Sequence, residues 1–90
     1  MHAVVVRAAI TELDKARQAL EADVIPRVKA APGFIAGYWM EPIDGKGISV
    51  VLFESEDAAR GALAMVQPGS KPSPYATIES SEAREVVAHA

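Results

Sequence analysis

Few side chains in this sequence offer chemistry: Arg7, the adjacent pair Tyr38-Trp39, Tyr75, and the histidines His2 and His89. Arg7 stands alone among small and β-branched residues. There it binds an anionic substrate group or steadies an enolate-like charge, or else pairs with Glu79, Glu82 or Glu85 of a neighbouring strand or with a second subunit. The pairing is the expected use, because buried arginines are normally paired. Tyr38 and Trp39 suit a flat apolar ligand. Adjacent strand residues face opposite ways, so only one of the two rings lines a cavity wall, and packing in the core or a subunit seam is the commoner use of such rings. His2 and His89 come near each other if the first and last strands pair, but two imidazoles without a nearby acid make a poor site, and termini fray. No metal site is therefore expected. Ser49, Ser80 and Ser81 have no histidine at a hydrolase spacing.

Composition removes further classes. No cysteine occurs in the chain, which rules out disulfides, thiolate–metal sites and cysteine nucleophiles. Nine Lys/Arg against twelve Asp/Glu give a net charge of −3. The signs are interspersed with no basic stripe, so nucleic acid is not an expected partner. No apolar run is long enough to span a membrane, and no basic segment followed by an apolar stretch marks a signal peptide. The expectation is a soluble cytoplasmic protein forming one domain over residues 1–90. Half the residues are hydrophobic, which supports a core, but a chain of this size leaves much surface exposed and gains from pairing with a second copy.

The elements that position these residues are legible from periodicity. His2–Ile10 reads as a central strand with apolar residues on both faces, and Arg7 shares a face with Ala3 and Val5. Thr11-Glu12-Leu13-Asp14 reads as a helix start with Thr11 as N-cap. Leu13, Ala16, Leu20, Val24 and Val28 then make an apolar stripe along one helix over 11–31. Pro26 bends or restarts that helix, and Asp23 and Arg27 form a weak i,i+4 pair. Pro32-Gly33 ends it and opens a second strand, Phe34–Met40. Asp44-Gly45 is a hairpin turn leading to a third strand, Ile48–Phe53. A hairpin pivoting there puts Trp39 opposite Val50 and Gly37 opposite Leu52, with Tyr38 and Val51 on the other face. Ser55 caps a second helix whose stripe is Ala59, Ala62, Leu63 and Val66. The Gln67–Ala76 loop is either a lid hinged at Gly69 and Ser70 or an ordinary surface connection, the latter being expected. A polar last strand, 77–87, suits a sheet edge or a face turned to a partner.

The order is β-α-β-β-α-β. Two helices with one apolar stripe each must cover one face of one sheet. Right-handed crossovers give an α+β, ferredoxin-like antiparallel sheet of order 4-1-3-2. The other sheet face is apolar and uncovered, and a two-fold-related copy of the chain is the simplest cover.

The strand–helix order, the Pro-Gly-Phe lead into the second strand, and the junction Phe53-Glu54-Ser55-Glu56-Asp57-Ala58 together resemble the dimeric α/β-barrel superfamily. That group includes the antibiotic-biosynthesis-monooxygenase-like and stress-responsive barrel proteins. The resemblance covers nearly the whole chain and rests mainly on structural punctuation. It implies a homodimer whose sheets close into a barrel, with a small-molecule cavity between sheet and helices. Monooxygenases of this type often carry Trp where this chain has Phe53. Haem-degrading relatives use an Asn, Trp and His set. This chain has no Asn, and its histidines lie at its ends, so no family catalytic residue carries over.

Three functions follow as expectations. The first and preferred is a homodimer binding a small apolar or aromatic ligand, without catalysis or cofactor, with Arg7, Tyr38, Trp39, Phe53 and Tyr75 as the ligand-contacting residues. The second is a cofactor-independent oxygenase of an electron-rich phenol or quinol, in which Arg7 and Tyr38 or Tyr75 steady the oxyanion. The third is a stress-associated or assembly protein whose purpose is the dimer itself.

Overall fold

A computed structural model describes residues 1–90. The elements are β1 (His2–Ile10), α1 (Leu13–Ala19), a π-helical turn (Leu20–Val24), α2 (Ile25–Lys29), β2 (Phe34–Trp39), β3 (Lys46–Phe53), α3 (Glu56–Ala64) and β4 (Ala76–Glu85). Residues 13–29 run as one helical segment, so the plan is β-α-β-β-α-β. The strands form one antiparallel sheet in the order β2-β3-β1-β4. This is the 4-1-3-2 order read from the opposite edge, the ferredoxin-like α+β arrangement.

β1 alternates as a strand with one covered face must. Val4, Val6 and Ala8 are buried toward the helices. Val5 and the exposed Arg7 point the other way. The core joins these β1 residues to Val51 and Phe53 of β3, Ala59 of α3 and Ile78 of β4. Ser55 caps α3 as the sequence indicates, its Oγ accepting from the Ala58 N–H at 3.1 Å. Glu56 and Asp57 occupy the positive first turn, where the helix dipole favours them.

The first helical segment departs from expectation at both of its marked positions. Thr11 is not its cap. Glu12 takes the N-cap position in a left-handed conformation with no side-chain cap bond. Thr11 instead turns to the far loop, its N–H and hydroxyl both donating to the Tyr75 carbonyl, at 2.8 and 3.4 Å. Pro26 is answered by a widened turn. The Ile25 N–H reaches back five residues to the Leu20 carbonyl, so Pro26 falls in the first turn of α2, where a missing N–H is harmless. The Asp23–Arg27 contact runs from the Arg27 Nε to the Asp23 backbone carbonyl at 3.1 Å and not to the carboxylate.

The hairpin turn is where the sequence puts it. Asp44 (φ 52°) and Gly45 (φ 74°) both have positive φ, and Ile43 and Lys46 exchange backbone bonds of 2.9 and 3.0 Å around them. This is a type I′ turn. The register beyond it differs by one residue. Trp39 pairs with Ser49, Tyr38 with Val50 and Gly37 with Val51, because the β2 side carries one more residue than the β3 side between the turn and Trp39. Pro42, which has no N–H, sits in that irregular stretch and breaks the ladder. A one-residue slip exchanges faces. Trp39 and Gly37 thereby lie with Ser49 and Val51 on the helix side, and Tyr38 lies with Val50 on the open side. β4 closes one edge and ends at Glu85, short of Val86-Val87. Its register with β1 shifts between Arg7 and Ala8.

Candidate functional site

None of the residues from Leu13 to Lys29 is buried. Their apolar stripe faces the sheet but stands off it. Ala8 and Gly47 on the sheet and Ala16 on α1 add little bulk to fill the gap. The result is a two-lobed cleft, one lobe of about 160 Å³ and one of about 280 Å³. Val6, Val24, Trp39, Ser49, Pro72 and Ile78 line both lobes. The smaller lobe runs under α1 past Leu20, with Arg17 and Glu41 among its walls. The larger runs toward α3, along Val28, Val51, Phe53, Ala62 and Val66.

The loop after α3 forms one wall. The Gly69 N–H donates to the Ile78 carbonyl and the Ile78 N–H to the Ser70 carbonyl, each at 2.8 Å. An Arg27 Nη2 donates to the Pro72 carbonyl at 2.8 Å. The segment is thus tied at Gly69 and Ser70, the two positions that would have to hinge a lid.

Trp39 reaches the cleft by folding its indole back over Gly37. A Cβ on Gly37 would stand 2.7 Å from the ring's Cη2 and Cζ3, so the missing side chain makes room for the ring. Phe53, 1 % exposed, forms part of the larger lobe. It meets Phe34 edge-on, centroids 6.5 Å apart and planes at 79°, a favourable aromatic arrangement.

The other three residues singled out from the sequence lie elsewhere. Tyr38 is on the open sheet face, 58 % exposed, opposite Val50. Arg7 is on that same face between Ile48 and Ser80. Arg7 takes none of the carboxylates expected to pair with it within the chain. Glu79 bonds Lys46 at 2.6 Å and Glu82 bonds Arg84 at 2.9 Å, and Arg7 is solvent-exposed rather than buried. Tyr75 lines neither lobe. Its backbone is held by Ser73 and Thr11. His2 opposes Glu85, with its Nδ1 buried and unpartnered. No cluster of three or more potential metal ligands forms anywhere in the chain, and no helix is long and apolar enough to cross a membrane.

The residue that sequence reading missed is Ser49. It is the protein's only buried polar residue, 7 % exposed, and its position in both lobes puts a hydroxyl on an otherwise apolar floor. The signal was its place in the alternation Ser49, Val51, Phe53, which puts all three on one face. A hydroxyl beside an indole, at the floor of an apolar cleft, can orient a ligand through one hydrogen bond while the walls take its apolar body.

No family model, curated protein or solved structure matches this chain.

Proposed function

We propose that the protein binds a small, largely apolar or aromatic molecule with a polar group that meets Ser49, as a homodimeric domain of the dimeric α/β-barrel type. The observation that carries this reading is the cross-strand pair Trp39–Ser49, which presents one large ring and one buried hydroxyl to both lobes of the cleft. Ligand pockets typically hold about 300–1,000 Å³, so lobes of about 160 and 280 Å³ suit a single ring or a short chain and not a fused polycycle. Binding is favoured over turnover because the floor is apolar except for Ser49. Arg7, and the Tyr38 or Tyr75 that the oxygenase reading sets beside it to steady an oxyanion, do not line the cleft.

Trp39 is the only tryptophan, so its emission reports the cleft directly. Titration with 3-phenylpropan-1-ol should change that emission saturably. Ser49→Ala should weaken the binding by about two- to tenfold, the worth of one neutral hydrogen bond, with the melting temperature nearly unchanged. A linear, unsaturable response in the wild type rejects the site.

The dimer rests on the open sheet face. Val5, Tyr38, Ile48, Val50 and Leu52 lie there together, by the registers of β1, β2 and β3, and large contiguous apolar surfaces mark contact sites. A two-fold pairing of this face with itself buries it in both copies. Sedimentation at micromolar concentration should show a dimer. Tyr38→Glu, which places a charge on an exposed position of that face, should weaken it by at least about tenfold while leaving the fold intact. A wild-type monomer at that concentration removes the proposal.

A further inference from the structure

We infer that the ligand also carries, at its outer end and apart from any group that meets Ser49, a single negative charge, a carboxylate held at the mouth of the larger lobe by Arg27 and Lys71. This rests on the binding reading above and adds the chemistry of the head group.

The two lobes differ in charge. The smaller has one arginine and one glutamate in its walls, Arg17 and Glu41, and is balanced. The larger has two charged side chains only, Arg27 and Lys71, both cationic. Neither is engaged in an ion pair, since the four pairs of the protein use Lys15, Lys46, Arg60 and Arg84. A chain of net charge −3 thus sets two cationic residues outside any ion pair, and no acid, in the lining of its larger lobe.

Both side chains are anchored and keep donors to spare. Arg27 bonds the carbonyls of Asp23 and Pro72, which fixes its guanidinium beside the residue that follows Lys71. Those bonds use two of its five N–H donors and leave three. The Lys71 Nζ donates to the Thr77 Oγ1 at 2.9 Å, which leaves two of its donors. Both residues are exposed at the rim, so a carboxylate can be gripped there without losing all its water. Its apolar body then reaches inward along Val28, Val51 and Phe53. Charge-assisted bonds of this kind are about twice as strong as neutral ones, so they dominate selectivity among ligands with the same body.

The test compares three probes that differ only in the head group: 3-phenylpropanoate, 3-phenylpropan-1-ol and 3-phenylpropan-1-aminium, each read by Trp39 emission. The carboxylate should bind about tenfold more tightly than the alcohol, with the ammonium ion weakest. Added salt should narrow the gap. Arg27→Gln with Lys71→Gln should bring the carboxylate-to-alcohol ratio to about unity, whereas Arg27→Lys with Lys71→Arg, which keeps both charges, should preserve a clear preference. Melting curves establish that each variant is folded. Equal affinity for carboxylate and alcohol overturns the charge assignment and leaves the cleft as a binding site. Preference for the ammonium ion does the same. Failure of all three probes to bind overturns both readings.

Discussion

Phe53→Ala should cost about 3–5 kcal/mol of folding stability, the range for truncating a buried aromatic residue. Phe53 is the largest fully buried side chain in the protein. It packs in one cluster with Val4, Val51, Ala59 and Ile78, so it joins the sheet to α3. It also supplies the partner ring for Phe34. The loss should fall in the upper part of the range for a local reason. Truncation costs least where neighbours can collapse into the space, but Phe53 already borders a lobe of about 280 Å³, and deletion enlarges that void without bringing new atoms to fill it. Small domains hold only about 5–15 kcal/mol in all, so the variant should be partly unfolded at room temperature or melt at least about 12 °C lower. Urea denaturation followed by Trp39 emission measures the change. A loss of less than about 1 kcal/mol, no more than an average point substitution, means that Phe53 does not anchor the core.

The strand and helix order was legible because each element carries its own period, and Asp44-Gly45 and Ser55 mark local geometry that depends on no distant contact. Register was not legible. It depends on Pro42 removing one ladder bond between the turn and Trp39, a fault in the strand that alternation does not reveal. Alternation alone therefore sets Trp39 and Tyr38 opposite cross-strand partners one residue out and leaves open which ring faces the helices. The same difficulty hid the surroundings of Arg7. The shift in β4 pairing leaves Glu79 without a β1 partner and turns it to Lys46, so neighbouring strands in the right order still did not produce the expected ion pair. Thr11 met the pattern of a cap, but its hydroxyl has a competing acceptor in Tyr75, sixty-four residues away in sequence. The cleft itself depends on how far the α1–α2 segment stands from the sheet. A stripe such as Leu13, Ala16, Leu20 and Val24 states which side faces inward and says nothing of distance. Ser49 gained significance only when that distance was known.

Gly33→Ala should destabilise the protein by about 2–5 kcal/mol, from two sources that an experiment can separate. Gly33 has φ +77°, and a Cβ built on it would lie 2.7 Å from the Ala58 Cβ at the start of α3. Left-handed backbone costs an ordinary residue roughly 1–2 kcal/mol, and forcing a methyl into occupied space adds about 1–3. The chain cannot easily move away, because the Gly33 carbonyl accepts the Glu54 N–H at 2.8 Å, clamping the turn before β2 to the junction between β3 and α3. Ala58→Gly alone should lose up to about 1 kcal/mol of helix propensity. Combined with Gly33→Ala it removes the obstructing methyl. The double variant should then be more stable than the sum of the two single losses by at least about 1 kcal/mol, and its remaining deficit, less the loss of Ala58→Gly alone, is the backbone strain. Gly61→Ala is the matched control. It lies within α3, a Cβ there meets nothing within 4 Å, and alanine should stabilise it by up to about 1 kcal/mol. Strict additivity of Gly33→Ala and Ala58→Gly means the methyl contact is not what excludes a side chain at position 33, and leaves φ alone to account for the glycine.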